Sequence, residues 1–410
     1  MESRTTLAIQ SLAALLDANA LAGRRVFVRA DLNVPLRNGR IEDDSRIRAS
    51  LPTLERLRAA GARIILASHL GRPKGRPDLA LSLAPIASAL GEALAKSSGA
   101  APPLAIRFVS DCVGDEVTKA VDRLENGQIL LLENLRFHAG ETENDPTFAR
   151  ALAALAEVYV NDAFGTAHRL HASTVGMVPF VQEVAAGLLL QRELDELKPL
   201  LDPKHPFVCF LGGAKVSDKL GVLSALIERA DTIGVGGAMA YTFLAARGES
   251  VGRSLVELDR LDDANRILAR AREIDCELLL PDDHVVAERV EENAATQTVS
   301  TIPKNALGVD IGPGTAKRYA AAAMQAKTIL WNGPMGIFEI EAFSHGTQRV
   351  ARAVAASSAH SVVGGGDSLA AVQKVGVGDQ IDHLSTGGGA SLEFVQGITL
   401  PGVDALERPQ

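Results

Sequence analysis

FVCFLGGAKVSDKLGVLSALIERADTIGVGGA, residues 207–238, decides the fold. Five apolar residues, 207–211, run into the glycine turn Gly212-Gly213-Ala214-Lys215. A stretch with apolar residues at helical spacing, 219–229, follows, and a second apolar run, 232–235, ends in another glycine turn. A short apolar run bounded by glycine reads as a buried strand. Strand, helix and strand in that order read as a right-handed βαβ unit whose parallel sheet is covered on both faces.

Outward from this unit the alternation repeats. Upstream the runs 26–30, 64–67, 106–109, 129–132 and 158–160 read as strands; downstream 278–280, 328–331 and 361–363 do. Residues 46–60, 83–96, 148–156 and 346–356 carry the helical spacing between them. The class is therefore α/β, and 410 residues exceed what one core serves, so two domains of about 200 residues each are expected. The expectation is two Rossmann-like parallel-sheet domains joined by a hinge helix. The leucine-rich, charge-laced stretch 184–201, closed by Pro199, Pro203 and Pro206, is read as that helix. The domains are placed at 1–188 and 189–397, with the tail 398–410 packing back on the first.

Composition narrows the function. Apolar residues make up 47% of the chain and aromatic ones 4%, so the core is built from aliphatic side chains. A net charge of −8 argues against nucleic acid or an anionic membrane as partner. Cys112, Cys209 and Cys276 lie far apart and form no C-x-x-C pair, suggesting neither a zinc site nor a disulfide framework. The apolar N-terminal stretch 9–22 is interrupted by Asp17 and Asn19 and reads as an amphipathic helix rather than a signal peptide. A cytoplasmic enzyme is the expectation.

The strand ends carry the chemistry, because ligands of open parallel sheets bind outside the carboxyl ends of the strands. In the first half these ends are polar and basic: Asp31-Leu32-Asn33, His69-Leu70-Gly71-Arg72, Glu133-Asn134-Leu135-Arg136 and residues 161–169. Arg29, Arg46, Arg72, Arg136 and Arg169 offer guanidinium forks that suit a compact dianion. In the second half the ends are glycines, and 24 of the 37 glycines follow residue 206. Glycine lets backbone N–H groups approach phosphate oxygens, which points to a nucleotide. Asp367, after Gly364-Gly365-Gly366, suits a magnesium ion bridging phosphates or caps the helix that follows. Lys215 and Lys219 are expected around the first turn of a helix opening near Ser217, where phosphate would neutralise them. His168 and His171 lack acidic or cysteine partners at ligand spacing, so they are read as hydrogen-bonding groups rather than metal ligands. The lone Trp331 is expected to pack.

A Walker A sequence and the protein-kinase signatures are absent. The turn Gly234-Val235-Gly236-Gly237-Ala238-Met239-Ala240 is read as a G-x-G-x-x-A dinucleotide fingerprint, with Glu257 about 20 residues on, which leaves a dehydrogenase as a second reading. A non-catalytic scaffold is a third.

The strings RADLNVP (29–35), DDSRI (43–47), SHLGRPKG (68–75), LLENLRF (131–137) and NDAFGTAHR (161–169) resemble the phosphoglycerate kinase family. LGGAKVSDK (211–219), LPDDHVVA (280–287), WNGPMGIFE (331–339), GGGDS (364–368) and STGGGASLE (385–393) continue the resemblance in the family's order. It implies 3-phosphoglycerate or 1,3-bisphosphoglycerate on the N-terminal domain and magnesium-bound ADP or ATP on the C-terminal one. Asp31, Leu32, Asn33, Arg46, His69, Leu70, Gly71, Arg72, Arg136 and Arg169 would bind the phosphoglycerate. Gly213, Lys219, Gly237, Gly308, Gly336, Glu339, Gly365, Gly366, Asp367 and Ser368 would bind the nucleotide, Glu339 at the ribose and Asp367 at the metal. Arg46, Lys215, Lys219, Gly365 and Gly366 would flank the transferring group, in a direct in-line transfer within a monomer after domain closure. Ser368 stands where the family often has threonine, and Asp282 where it often has an apolar residue.

Overall fold

The structure, a computed structural model, describes residues 7–18, 20–37, 39–99 and 103–409. Its contacts divide the chain into two compact units at Leu194/Asp195, and the chain returns to the first unit at Thr399.

The first unit is built on a six-stranded parallel sheet. In chain order its strands are Arg25–Ala30, Arg63–Ala67, Arg107–Phe108, Ile129–Leu131, Val158–Asp162 and Glu183–Ala186. Across the sheet they lie third, fourth, second, first, fifth, sixth. The order reverses between the first and fifth strands, so their carboxyl ends open a crevice. On one face Val26, Val28, Ile64 and Leu66 meet Leu54 and Leu57 of the helix Ser45–Ala59 and Leu90 and Leu94 of the helix Ala84–Ser98, all buried. Residues 79–98 are apolar enough to cross a membrane by length and composition, but here Ile86, Leu90 and Leu94 face the core and Gly91 lies against the Leu104 carbonyl.

The second unit repeats the design with strands Phe207–Leu211, Thr232–Val235, Glu277–Leu279, Thr328–Asn332, His360–Gly364 and His383–Ser385. Their order is third, second, first, fourth, fifth, sixth, the doubly wound arrangement that reverses between the first and fourth strands. Phe210, Ile329, Trp331 and Val363 pack there against Tyr319 and Val350 of the flanking helices. Trp331 is fully buried, and its Nε1–H donates to the Gly333 carbonyl at 2.7 Å.

Two expectations need correction. Residues 184–201 are not one helix: Glu183–Ala186 is the sixth strand, the helix spans Leu188–Leu197, and Lys198–Leu200 forms a 3₁₀ turn. The break falls at Gly187, where a Cβ would lie 2.2 Å from Asp162 Oδ1. That oxygen accepts the Leu189 N–H at 2.9 Å, so the carboxylate takes one of the free donors at the helix start. The second unit also holds an antiparallel sheet of Gln297–Val299, His284–Ala287 and Leu307–Ile311, which the sequence reading did not anticipate. Its outer strand is short and partly polar, so it lacks the apolar run that marks the buried strands.

The chain end packs on the first unit. Asn161 Nδ2 donates to the Gly402 carbonyl at 3.2 Å, Gly402 N–H donates to the Ala167 carbonyl at 2.7 Å, and Glu407–Pro409 pairs antiparallel with Leu7–Ile9.

Gly187→Ala should push the Asp162 carboxylate off the helix start and destabilise the first unit by about 1–3 kcal/mol. An unchanged urea-unfolding midpoint would remove this packing role.

Candidate active site

In the first unit the predicted polar loops converge at the strand ends. Asp31, nearly buried after the first strand, forms an ion pair with Arg46, which sits one residue into the helix Ser45–Ala59. Asn33 Oδ1 accepts the Gly71 N–H at 2.9 Å, and Leu32 N–H donates to Ser68 Oγ at 2.8 Å. These bonds join the loops after the first and second strands. Arg136 donates from Nη1 to the Gly71 carbonyl at 2.9 Å, which brings in the loop after the fourth strand. Leu70 is anchored at both backbone groups by Asn134, whose side chain also accepts the Arg136 N–H.

Arg29 differs from the loop arginines with which it was grouped. It lies on the strand, fully buried, donating from Nε to Ser173 Oγ at 2.8 Å; that hydroxyl donates to the buried Glu141 Oε1 at 2.6 Å. Its Nη2 is 3.3 Å from His69 Nδ1. It is a fixed interior charge rather than a hand for ligand. Arg72 and Arg169 are exposed, and Arg169 is close enough to Arg136 and His171 to be felt by both.

The electrostatics show too much positive charge for the acids present. Burial and then the charge of Arg29 lower the Arg136 pKa to about 10, with Arg169 adding to the effect. Its Nε is buried without a hydrogen-bond partner. His69 is pushed well below its usual range chiefly by burial; Asp31 opposes this and Arg29, Arg136 and Arg46 add to it, so the ring is neutral at neutral pH. Burial raises the Asp31 pKa, but His69, Arg46 and Arg29 together bring it below the ordinary carboxylate value. With His69 neutral, the two arginines keep Asp31 ionised. An anion entering here would supply the missing negative charge and an acceptor for Arg136.

The second unit has its cavity at the switch point of its sheet. A space of about 500 Å³ is lined by Gly213, Gly237, Gly308, Gly336, Glu339 and Asp367, together with apolar residues that include Leu255, Val290 and Met335. Six predicted nucleotide residues from five separate chain segments thus meet at one cavity. A Cβ on Gly237 would lie 2.6 Å from backbone N and O of Gly213, and one on Gly308 would lie 2.0 Å from the Tyr241 hydroxyl oxygen. Thr347 Oγ1 accepts the N–H groups of Met335 and Gly336 at 2.9 and 3.2 Å and holds the wall they form.

Gly365, at φ 94°, turns the chain into the helix Gly366–Val375, so Asp367 lies in its first turn rather than at the cap. The first-turn N–H groups of Gly366, Asp367 and Ser368 have no partner within the helix and form an anion-binding end. Ser368 Oγ is fully buried and accepts the Gly333 N–H at 2.6 Å. Its side chain therefore secures the neighbouring loop. Asp367 is an exposed carboxylate beside these donors, which suits a magnesium ion needing one carboxylate, phosphate oxygens and waters.

The two lysines do not share a helical turn. The helix spans Leu220–Ile227, with Lys219 as its N-cap and Lys215 in the loop before it. Glu257 explains the delay: its carboxylate accepts the Ser217 N–H at 3.0 Å and its hydroxyl at 2.6 Å, and holds the loop open. Burial lowers the Lys219 pKa to about 8, although Asp218 and Asp367 oppose this. The same contact removes the dinucleotide reading. Glu257 leads into the turn Leu258–Arg260, whereas the next strand is Glu277–Leu279, and the sixth fingerprint position counted from Gly234 is the buried Met239. Asp282, the departure from the usual pattern, is exposed and ion-paired with Arg318.

Similarity to known proteins assigns the family. The family model described as phosphoglycerate kinase matches residues 16–398. The chain belongs to the phosphoglycerate kinase family. It is accordingly a kinase, a phosphotransferase of a glycolytic family. It is 55% identical over 398 residues to a phosphoglycerate kinase of Anaeromyxobacter sp. (strain K), covering 96% of this chain and 98% of the relative. The Moorella thermoacetica relative is 53% identical, with 94% and 97% covered. The solved phosphoglycerate kinase of Coxiella burnetii superposes with a TM-score of 0.86 at 41% identity over 97% of this chain and 99% of that one. That of Pyrococcus horikoshii OT3 gives 0.83 at 32% identity over 97% and 98%.

Some residues that shape these sites escaped the sequence reading. Ser173 and Glu141 orient Arg29, and Tyr241 closes the cavity beside Gly308. No local pattern marks them, because their partners come from distant segments.

The pH dependence of stability follows from the arginine cluster. Burial, followed by Arg136, Arg29, Arg169 and His168, lowers the His171 pKa to about 4. An unfolded histidine titrates at about 6.5. Between those values the unfolded chain holds more protons, so stability is full above the upper value and falls as pH drops through the window. His171→Gln should reduce the drop in urea midpoint between about pH 7 and about pH 4.5; an equal drop in both proteins would refute it.

Proposed function

We propose that the enzyme catalyses reversible, magnesium-dependent phosphoryl transfer between 1,3-bisphosphoglycerate and ADP, giving 3-phosphoglycerate and ATP. The first unit binds the phosphoglycerate and the second the nucleotide. The observation that carries this reading is the excess of arginine charge in the first unit, with a buried guanidinium N–H that awaits an acceptor. A glycine-lined cavity beside an anion-binding helix end supports the nucleotide assignment.

The substrate oxygen that gives or receives the phosphoryl group belongs to a carboxylate, already ionised at neutral pH, so the reaction needs no general base. His69, neutral in the folded protein, positions rather than abstracts. Arg136 and Arg169, with Asp31 and Asn33 on the hydroxyl side, bind and orient the acid. Arg46 turns from Asp31 toward the transferring group. Lys219, Lys215 and the N–H groups of Gly365 and Gly366 neutralise charge that develops on the phosphoryl oxygens. Asp367 would hold the magnesium ion, which when bound would neutralise charge on the nucleotide phosphates. Positioning and charge supply the catalysis, with no phosphoenzyme. The reading includes closure of the units to exclude water, in a monomeric, cytoplasmic enzyme that uses neither nucleic acid nor membrane.

A coupled assay should show magnesium-dependent phosphorylation of 3-phosphoglycerate by ATP, and Arg46→Ala should lower kcat by about two to three orders of magnitude with nucleotide affinity nearly unchanged. Folded protein without activity would overturn the reading, and a near-normal kcat in the variant would remove Arg46 from catalysis.

Phosphates placed beside Lys219 should restore its ordinary pKa from about 8. Nucleotide binding at about pH 8 should then take up about half a proton, detectable by calorimetry in buffers of different ionisation enthalpy. Lys219→Met should abolish the uptake; uptake unchanged in the variant would assign the proton elsewhere.

A further inference from the structure

Away from the arginine cluster, Asp111 and Cys112 follow the strand Arg107–Phe108, while His138 follows the turn Leu135–Phe137. The strand Arg107–Phe108 pairs with Ile129–Leu131, so both segments leave the same sheet edge at its carboxyl end. Asp111 Oδ1 lies 2.6 Å from His138 Nε2 and also accepts the Cys112 N–H. Cys112 is fully buried, with its thiol donating to the Glu133 carbonyl at 3.0 Å. The carboxylate oxygen, sulfur and imidazole nitrogen all lie within 4.8 Å of one another, the one such trio of potential metal ligands among the described residues.

We propose that Asp111, Cys112 and His138 form a binding site for one divalent cation of the zinc class, distinct from the magnesium position at Asp367. A tetrahedral site with bonds of about 2.0–2.3 Å needs ligand atoms roughly 3.3–3.8 Å apart. The Asp111 and His138 ligand atoms must part slightly and move toward the sulfur. Both movements fall on Asp111 and His138, whose side chains are 48% and 33% exposed, around the fixed Cys112. The His138 ring is already oriented by stacking on Phe148, with centroids 4.8 Å apart. Thiolate and carboxylate together would neutralise the dication, which must displace the proton that burial, then Asp111, Glu141 and Glu133, hold on the Cys112 thiol. A mixed sulfur, nitrogen and oxygen donor set favours zinc over magnesium or calcium, and three protein ligands leave one position for water.

His138 lies two residues beyond Arg136 and closes the turn that carries it, donating its N–H to the Leu135 carbonyl. The site is therefore mechanically joined to the loop of the arginine cluster.

The test is a titration of the full chain, in excess magnesium, with cobalt(II) as the spectroscopic probe and zinc as competitor. One cobalt per chain should bind with a near-ultraviolet thiolate-to-metal band that zinc displaces. Cys112→Ser should lose the band. His138→Ala, which removes a partly exposed ring and leaves the buried cysteine in place, should weaken cobalt at least about tenfold. No thiolate band in the unmodified protein, a band surviving Cys112→Ser, or equal affinity in His138→Ala would overturn the site and leave the three groups as a protein-only hydrogen-bond network.

Discussion

A Cβ at position 212 would lie 1.9 Å from the Pro334 carbonyl oxygen, and one at position 333 would lie 2.0 Å from that of Gly212. The backbones leaving the first and fourth strands of the second sheet touch at a distance only glycine permits. This contact sets the depth of the cavity, because the same two loops carry Gly213 and Gly336 into its lining. The loops are held there by backbone bonds: Gly212 N–H to the Asn332 carbonyl at 3.0 Å and Gly237 N–H to the Met335 carbonyl at 2.8 Å. Ser368 and Thr347 then tie them to the helices behind. Glycines that would weaken a helix or strand are here a condition of the binding surface.

The first unit solves a different problem, that of holding several arginines close together with no ligand to balance them. Glu141 and Asp31 are buried to supply part of the balance, one through Ser173 to Arg29 and the other directly to Arg46. Burial first, and the neighbouring arginines after it, lower the pKa values of Arg136, His69 and His171. Guanidinium groups held this close together favour a compact anion over water. The catalytic reading needs only fixed charges on both sides and no proton shuttle.

Much of this was legible in the residues. Parallel strands buried on both faces write themselves as apolar runs, which is why residues 207–211 and 158–160 are readable at sight. Strand ends in such sheets are where ligands bind, so the polar or glycine character of the next few residues was already a statement about function. Less legible were elements defined by partners. The strands Glu183–Ala186 and His383–Ser385 lie at sheet edges, and the antiparallel sheet of the second unit has partly polar strands. Lys219 caps a helix rather than lying within it because Glu257, forty residues on, captures Ser217.

By itself the sequence determined the α/β class, the arginine and glycine character of the two halves and the family, because these depend on periodicity and on residue types adjacent in the chain. Only the tertiary structure decided which charged groups are free to meet a ligand. It buried Arg29 against Ser173, turned the Ser368 hydroxyl inward, left Arg136 Nε without an acceptor and brought Asp111, Cys112 and His138 together. The reason is physical: burial and hydrogen bonding are properties of neighbours in space, and these neighbours are contributed by segments that the chain order keeps apart.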